Sequence, residues 1–406
     1  MVSRFSWVDF SESDKNKMHE IIRSLSDPNT RDELGIASIR DSFANMMFPG
    51  TTTIQTRVKY MLFVPWIYKI VEEEKLIDQT AAERIKELEI KLIKSLKENN
   101  NDENGIIGQR AGANISRTPA DIYWAGLRHW EILKVDFSRR DFHALLKIYY
   151  KSSAEDLYLE NDYQIEDIPI YKDKIQLWDP GLLKRPKHFP VKANLNLTYQ
   201  EAYYLKEKIK KSCSKTVLSE IIDLDYQNVK FVWEHNYINH LNSKLYNQIQ
   251  HAHNFADTIF GAHILYNLML TQEDKNTNKK LETKYFNMIN EWKNDIKNKK
   301  SYLENWDLNN FWYTANIYDI KLKSFVNSWY KMILNNKFLN QIESNSDARK
   351  LIIDREKLVK GKRARLLNKK YLEKWGGSSS TSKLDFRWNI TNSFIKDINF
   401  ALKGVG

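Results

Sequence analysis

With 13 glycines and 8 prolines in 406 residues, this chain has few places at which to reverse direction sharply. An all-β protein needs a turn signal roughly every 8–12 residues, and those signals are made of glycine, proline and asparagine clusters. That supply is missing here, so the chain is read as mostly α: a multi-helix bundle with two helical lobes and a basic C-terminal segment.

Local signals mark where helices begin. Ser11 to Asp14, Thr30 to Glu33 and Ser38 to Asp41 each set a hydroxyl three residues before an acid. The hydroxyl can accept from an orphan amide while the carboxylate complements the positive end of the helix dipole. Thr118-Pro119 and Thr198 with Glu201 repeat the pattern, so helices are expected to start near 12, 38, 119 and 199. Ile54 to Val71 is apolar nearly all round, as in an enclosed helix, with Pro65 predicting a kink or a break. Thr80 to Lys97 is an amphipathic helix that fades into the polar run KENNNDENG, read as a mobile loop. Leu245, Ile249, Ala252, Ala256, Ile259, His263, Tyr266 and Leu270 recur at spacings of three and four and predict one helix face, with the two alanines permitting close approach by a neighbour. Further helices are expected over 281–300, 309–337, 346–360 and 390–402, and Gly376 to Ser382 (GGSSSTS) has the composition of a flexible turn or linker. The expected segments are an N-terminal helical domain at 1–151, an irregular proline-containing connector at 152–197, a central helical domain at 198–345 and the basic segment with its final helix at 346–406.

Cys213 stands alone, so no intramolecular disulfide is possible and the thiol reads as a packed side chain in a reducing compartment. The start of the chain carries acids early and has no apolar h-region, which predicts no signal peptide, and the longest apolar run, Tyr60 to Tyr68, is short of the roughly 20 residues a span requires. A cytoplasmic protein without membrane association is expected.

The formal charge is +11, and its distribution decides its meaning. Between Arg349 and Lys374, eleven basic residues meet three acids, a local net of +8. Such focusing raises the potential felt by a polyanion. Lys357, Lys360, Lys362, Arg363, Arg365, Lys369 and Lys370 are therefore candidate phosphate contacts, with Leu358, Leu366, Leu367, Tyr371 and Trp375 expected to dock the segment. Arg355 and Lys362 fall on the apolar side of an ideal helix, which requires acidic partners or a break at Gly361, and the break is favoured. A second group is Arg110, Arg117 and Arg128, around the helix start at Thr118, where free amides favour anions and guanidinium groups bind phosphate bidentately. Trp124 and Trp130 read as core residues. Arg57 and Lys59 form a weaker pair of candidates.

Catalytic patterns are thin. His251, His253, Asp257 and His263 suggest a divalent metal by residue type, but on an α-helix only His253 and Asp257 share a side, which favours a structural hydrogen bond. Asp354, Glu356 and Lys357 lack nuclease spacing, no His-x-Lys pair is present, and GxxxxGK[ST], GxGxxG and GxSxG are all missing. No catalytic residue, metal or cofactor is assigned.

FSWVDFSE, TRDELGIASIRDSFANMMFPGTTTIQTRVKYMLFVPWIY, RTPADIYWAGL, HAHNFADTIFGAHILYN, KGKRARLLN and LDFRW together resemble a bacterial family of unknown function. That family is similar to accessory proteins found among anti-phage defence genes, near helicases, methyltransferases or phospholipase-D-like nucleases. The resemblance implies a defence role by association and carries over no catalytic residue. The expectation is a non-catalytic accessory subunit that binds nucleic acid, DNA before RNA, and docks a partner such as a helicase or nuclease. Two alternatives stand beside it: a divergent metal-dependent nuclease, and an adaptor whose basic surface meets an acidic protein.

Overall fold

The computed structural model describes residues 32–99, 104–150, 176–273 and 279–404. The helix expected near 12, the centre of the polar loop at 100–103 and most of the connector, 151–175, lie outside the described residues. Among the described residues there are 16 α-helices and no strand, only an isolated antiparallel bridge between Leu133 and Trp178. The multi-helix architecture read from the sequence is the observed one.

The helices are α1 (Ala37–Met47), α2 (Tyr60–Glu73), α3 (Asp78–Asn99), α4 (Pro119–His129), α5 (Arg139–Tyr150), α6 (Tyr199–Ser212), α7 (Val217–Ile221) and α8 (Ser243–Glu273). They continue with α9 (Lys279–Asn298), α10 (Lys300–Glu304), α11 (Leu308–Ala315), α12 (Ile320–Leu334), α13 (Asn336–Asn340), α14 (Ser346–Lys360), α15 (Lys369–Leu372) and α16 (Trp388–Leu402). Two compact units are assembled from distant pieces of chain: unit I from Met1–Phe43 and Gln250–Leu384, unit II from Ala44–Ile249 and Asp385–Gly406. The expected segments run consecutively along the chain, whereas each compact unit joins two pieces far apart in sequence.

In unit II, α2 is buried on nearly every side and packs against α3 and α4, while α16 runs against α6. Pro65 does not break α2: it sits in the second turn, where its missing N–H removes one ladder bond and the enclosing side chains hold the rest. Trp66, Tyr68, Tyr123 and Trp130 are fully buried, and Trp124 and Trp178 join Tyr68 in an aromatic cluster with ring centroids 5.1–6.3 Å apart. Each such large side chain contributes about 1.5–3 kcal/mol by leaving water. Trp124 and Trp130 are core residues, as expected.

In unit I, the α8 face is buried at all six of its positions from Ala252 to Leu270. A tight approach is made at Gly261, where an added Cβ would lie 2.1 Å from the Trp292 ring, and the Trp292 indole N–H donates to the Asp257 carbonyl at 2.8 Å. The stretch expected as one helix over 309–337 is divided: Asn316 closes α11 in the left-handed region (φ 54°), and the Asp319 carboxylate accepts from the Lys321 and Leu322 amides to open α12. GGSSSTS is tied down rather than loose. Asn267 exchanges two hydrogen bonds with the Ser379 backbone (2.6 and 2.9 Å), and the Tyr285 hydroxyl donates to the Gly377 carbonyl.

Candidate functional site

The basic segment begins on α14, whose N-terminus is capped by the Asn345 side chain accepting from the Ala348 amide at 2.9 Å. The helix stops at Gly361, with φ 54° and ψ −126°, a backbone region that side chains disfavour and glycine enters freely. This is the break expected from sequence, and it releases Lys362 from the apolar side. A 3-10 turn, Gly361–Arg363, follows, and the chain then folds back over the end of α14. The fold-back is held by Glu356, which is fully buried and accepts from the Tyr266 hydroxyl (2.6 Å) and from the Arg365 and Leu366 amides (2.8 and 3.0 Å). Asn368 adds a bond from its side-chain amide to the Lys362 carbonyl, at 2.9 Å, and caps α15. Residues 356–370 thus form a compact knuckle.

The knuckle sorts its cations. Arg355 is buried and satisfied by carbonyls, donating to Leu34 and Gly35 at 2.7 and 2.9 Å, with its guanidinium over the Phe325 ring. Arg365 is 8% exposed and donates to Glu33 (2.8 Å) and Ser379 (3.0 Å), while Lys360 pairs with the same Glu33. Two of the expected phosphate contacts, Lys360 and Arg365, are therefore engaged by an internal acid. Lys357, Lys362, Arg363, Lys369 and Lys370 are exposed, and no acid lies between positions 357 and 370. The apolar residues divide as well. Leu372 is buried and Leu366, Tyr371 and Trp375 are half-buried, but Leu358 and Leu367 are 48% and 55% exposed and do not dock the segment.

The second basic group is built differently. Arg110 is exposed, Arg117 is half-buried, and Arg128 pairs with Asp136 at 2.5 Å. The α4 N-terminus beside them, expected to offer free amides to an anion, is already filled by the protein's own carboxylates. Asp121 accepts from the Thr118 amide at 3.0 Å, and Glu89 accepts from the Ala120 amide at 2.8 Å. Arg139 completes the cluster with bonds to Asp121 (3.0 Å) and the Thr118 hydroxyl (3.3 Å). Burial pushes the Glu89 carboxyl up to about 7 against the hydrogen bond from Ala120, and burial pulls the neighbouring His143 down to about 4. Glu89 Oε2, the Tyr68 hydroxyl and His143 Nε2 have no hydrogen-bond partner among the described residues. Neither Glu89 nor Arg139 was singled out from sequence. The signal was present for Glu89, an acid set among Ile85, Leu88, Leu92 and Leu96 on the buried face of α3.

Arg57 and Lys59 are likewise occupied. Arg57 pairs with Asp397 at 2.8 Å, and Lys59 pairs with Glu201 at 2.6 Å in a buried position that lowers its pKa. His253 meets Asp257 at 3.2 Å, the structural contact expected from their spacing, and His263 is packed in the core. Asp257 also receives Lys299 and Lys383, each at 2.6 Å. Burial alone would raise its carboxyl, but the His253 hydrogen bond and charge, with the two lysines, hold it well below the usual carboxylate range. Among the described residues no group of three or more His, Cys, Asp or Glu converges in a way that could hold a metal ion. Cys213 is buried, and burial pushes its thiol up to about 11. No helix among the described residues is long and apolar enough to cross a membrane.

The described residues form a multi-helix protein without strands, and its knuckle carries five exposed cations. The chain belongs to a family of unknown function (DUF6361), matched over residues 2–401. No curated protein and no solved structure matches it.

Proposed function

We propose that this protein is a non-catalytic accessory subunit that binds the phosphates of nucleic acid through Lys357, Lys362, Arg363, Lys369 and Lys370 and works beside a partner effector in bacterial anti-phage defence. The observation that carries the binding half is the sorting of charge. After Arg355, Lys360 and Arg365 are spent on internal partners, five cations remain exposed on one ordered knuckle with no acid among them. Phosphate binding by such a surface is sequence-independent and driven by counterion release. The partner half draws on Tyr313, Tyr318 and Ile320, the three most exposed large apolar side chains among the described residues, gathered around the α11–α12 turn in unit I. The defence setting rests on the family resemblance of the motifs alone.

The test is binding of labelled oligonucleotides across a salt series with magnesium present. Log affinity falling linearly with log salt, without strand cleavage, supports the reading; absence of binding at low salt removes it, and cleavage replaces it with a nuclease. A second reading, an adaptor for an acidic protein, is favoured by one observation, the exposure of Leu358 and Leu367 among the cations.

A further inference from the structure

We infer that the knuckle is built for single-stranded rather than duplex nucleic acid, an inference that rests on the phosphate-binding reading above. A duplex keeps its base faces stacked inside, so a surface that neither reads its grooves nor bends it meets mainly phosphate and sugar and relies on cations, apolar side chains serving only as wedges or against groove methyl groups. A single strand offers phosphates and unstacked base faces together, and the sites that hold it mix cations with apolar or aromatic surface.

The knuckle has that mixed character. Leu358 lies directly after Lys357 in the last turn of α14, and Leu367 precedes the Lys369–Lys370 pair on the returning chain. Their exposure follows from the framework. Glu356 fixes the Arg365 and Leu366 amides, and Asn368 ties back to the Lys362 carbonyl, so position 367 is directed outward while Ala364 and Arg365 turn inward. Tyr371, half-buried with the Lys374 ammonium 5.9 Å from its ring, adds an aromatic side chain directly after the Lys369–Lys370 pair. Apart from Lys357 on α14, the exposed cations sit on a three-residue 3-10 turn and a four-residue helix, each too short to lie along a major groove.

The experiment compares the full chain with a Leu358→Ser/Leu367→Ser variant and a Lys362→Ala/Arg363→Ala variant. Each is titrated across a salt series with a labelled single-stranded DNA, a single-stranded RNA, a duplex of equal length, and a synthetic glutamate-leucine peptide. Thermal melts confirm that the exposed substitutions leave the fold intact. The wild type is expected to hold one or both single strands at least about tenfold more tightly than the duplex. The leucine variant loses about tenfold on single strands, with little change on the duplex and an unchanged salt slope. The Lys362/Arg363 variant flattens the slope on every nucleic acid. Equal or tighter duplex binding, or single-strand affinity indifferent to the leucines, overturns the strand preference while leaving phosphate binding in place. Binding to the peptide but to no nucleic acid, lost in the leucine variant, overturns both and assigns the surface to an acidic protein.

Discussion

In unit I, seven cations lie between Lys357 and Lys370; Glu33 engages Lys360 and Arg365, and the buried Glu356 is taken up by the Arg365 and Leu366 amides. In unit II, Arg128 is met by Asp136, and the α4 N-terminus that follows Arg110 and Arg117 is filled by Glu89 and Asp121. Both stretches look basic in sequence. The difference shows that a cation is available to a ligand only where the fold has not delivered an acid to it, and that a helix N-terminus attracts an external anion only when no internal carboxylate has reached it first.

Glu33 is the residue on which the sorting of cations in unit I depends most. Glu33→Ala leaves the buried Arg365 guanidinium without its charge partner, a change expected to cost about 3–5 kcal/mol in urea denaturation. A cost below about 1 kcal/mol would mean that Ser379 and solvent suffice for Arg365 and that the sorting of cations does not depend on Glu33.

Next in size is the contrast in binding. Replacing Lys357, Lys362, Arg363, Lys369 and Lys370 together by Ala is expected to weaken oligonucleotide binding more than about a hundredfold and to flatten the slope of log affinity against log salt by about 4. The triple change of Arg110, Arg117 and Arg128 to Ala is expected to weaken it less than about threefold. Equal losses from the two sets would mean that the two stretches are equally available to phosphate.

The carboxylate that fills the α4 N-terminus is tested by pH. Because the folded pKa of Glu89, about 7, lies above its ordinary value of 4.5, the native state is penalised as pH rises from about 4.5 to 7, and the full penalty holds above that. A glutamine keeps an acceptor for the Ala120 amide and has no such titration. The stability of Glu89→Gln relative to wild type should therefore improve by about 2 kcal/mol between pH 5 and pH 8, read from guanidinium melts at the two pH values. A pH-independent difference would show that Glu89 is charged in the folded protein throughout.

The smallest effect belongs to the exposed pair. Arg128→Ala should change stability by no more than about 0.5 kcal/mol, because Asp136 stays in water and the bridge is screened. A larger loss in a thermal melt would make Arg128 part of the packing of α4.

Helix identity was legible because its causes are local. The starts at Ala37, Pro119 and Tyr199 agree with the capping expectations near 38, 119 and 199, and Thr198 with Glu201 forms the box its spacing implied. The α8 face and the break at Gly361 were equally readable, one from periodicity and the other from a glycine beside side chains that could not stay on an apolar face. Of the kink or break that Pro65 predicts, the break does not occur, because packing on nearly every side of α2 outweighs one lost hydrogen bond. GGSSSTS is the non-helical connection its composition implies, but its composition does not reveal that Asn267 and Tyr285, about a hundred positions away, supply its backbone with partners.

The sequence by itself determined that this protein is helical, where most of its helices begin, and that its positive charge is concentrated near the C-terminus, since each depends on neighbours within a turn or two of chain. Tertiary structure alone decided which of those charges face solvent. Glu33 reaches Arg365 across 332 positions and Glu89 reaches Ala120 across 31, and an ion pair or a capped amide depends on distance in space and on burial, neither of which spacing along the chain records.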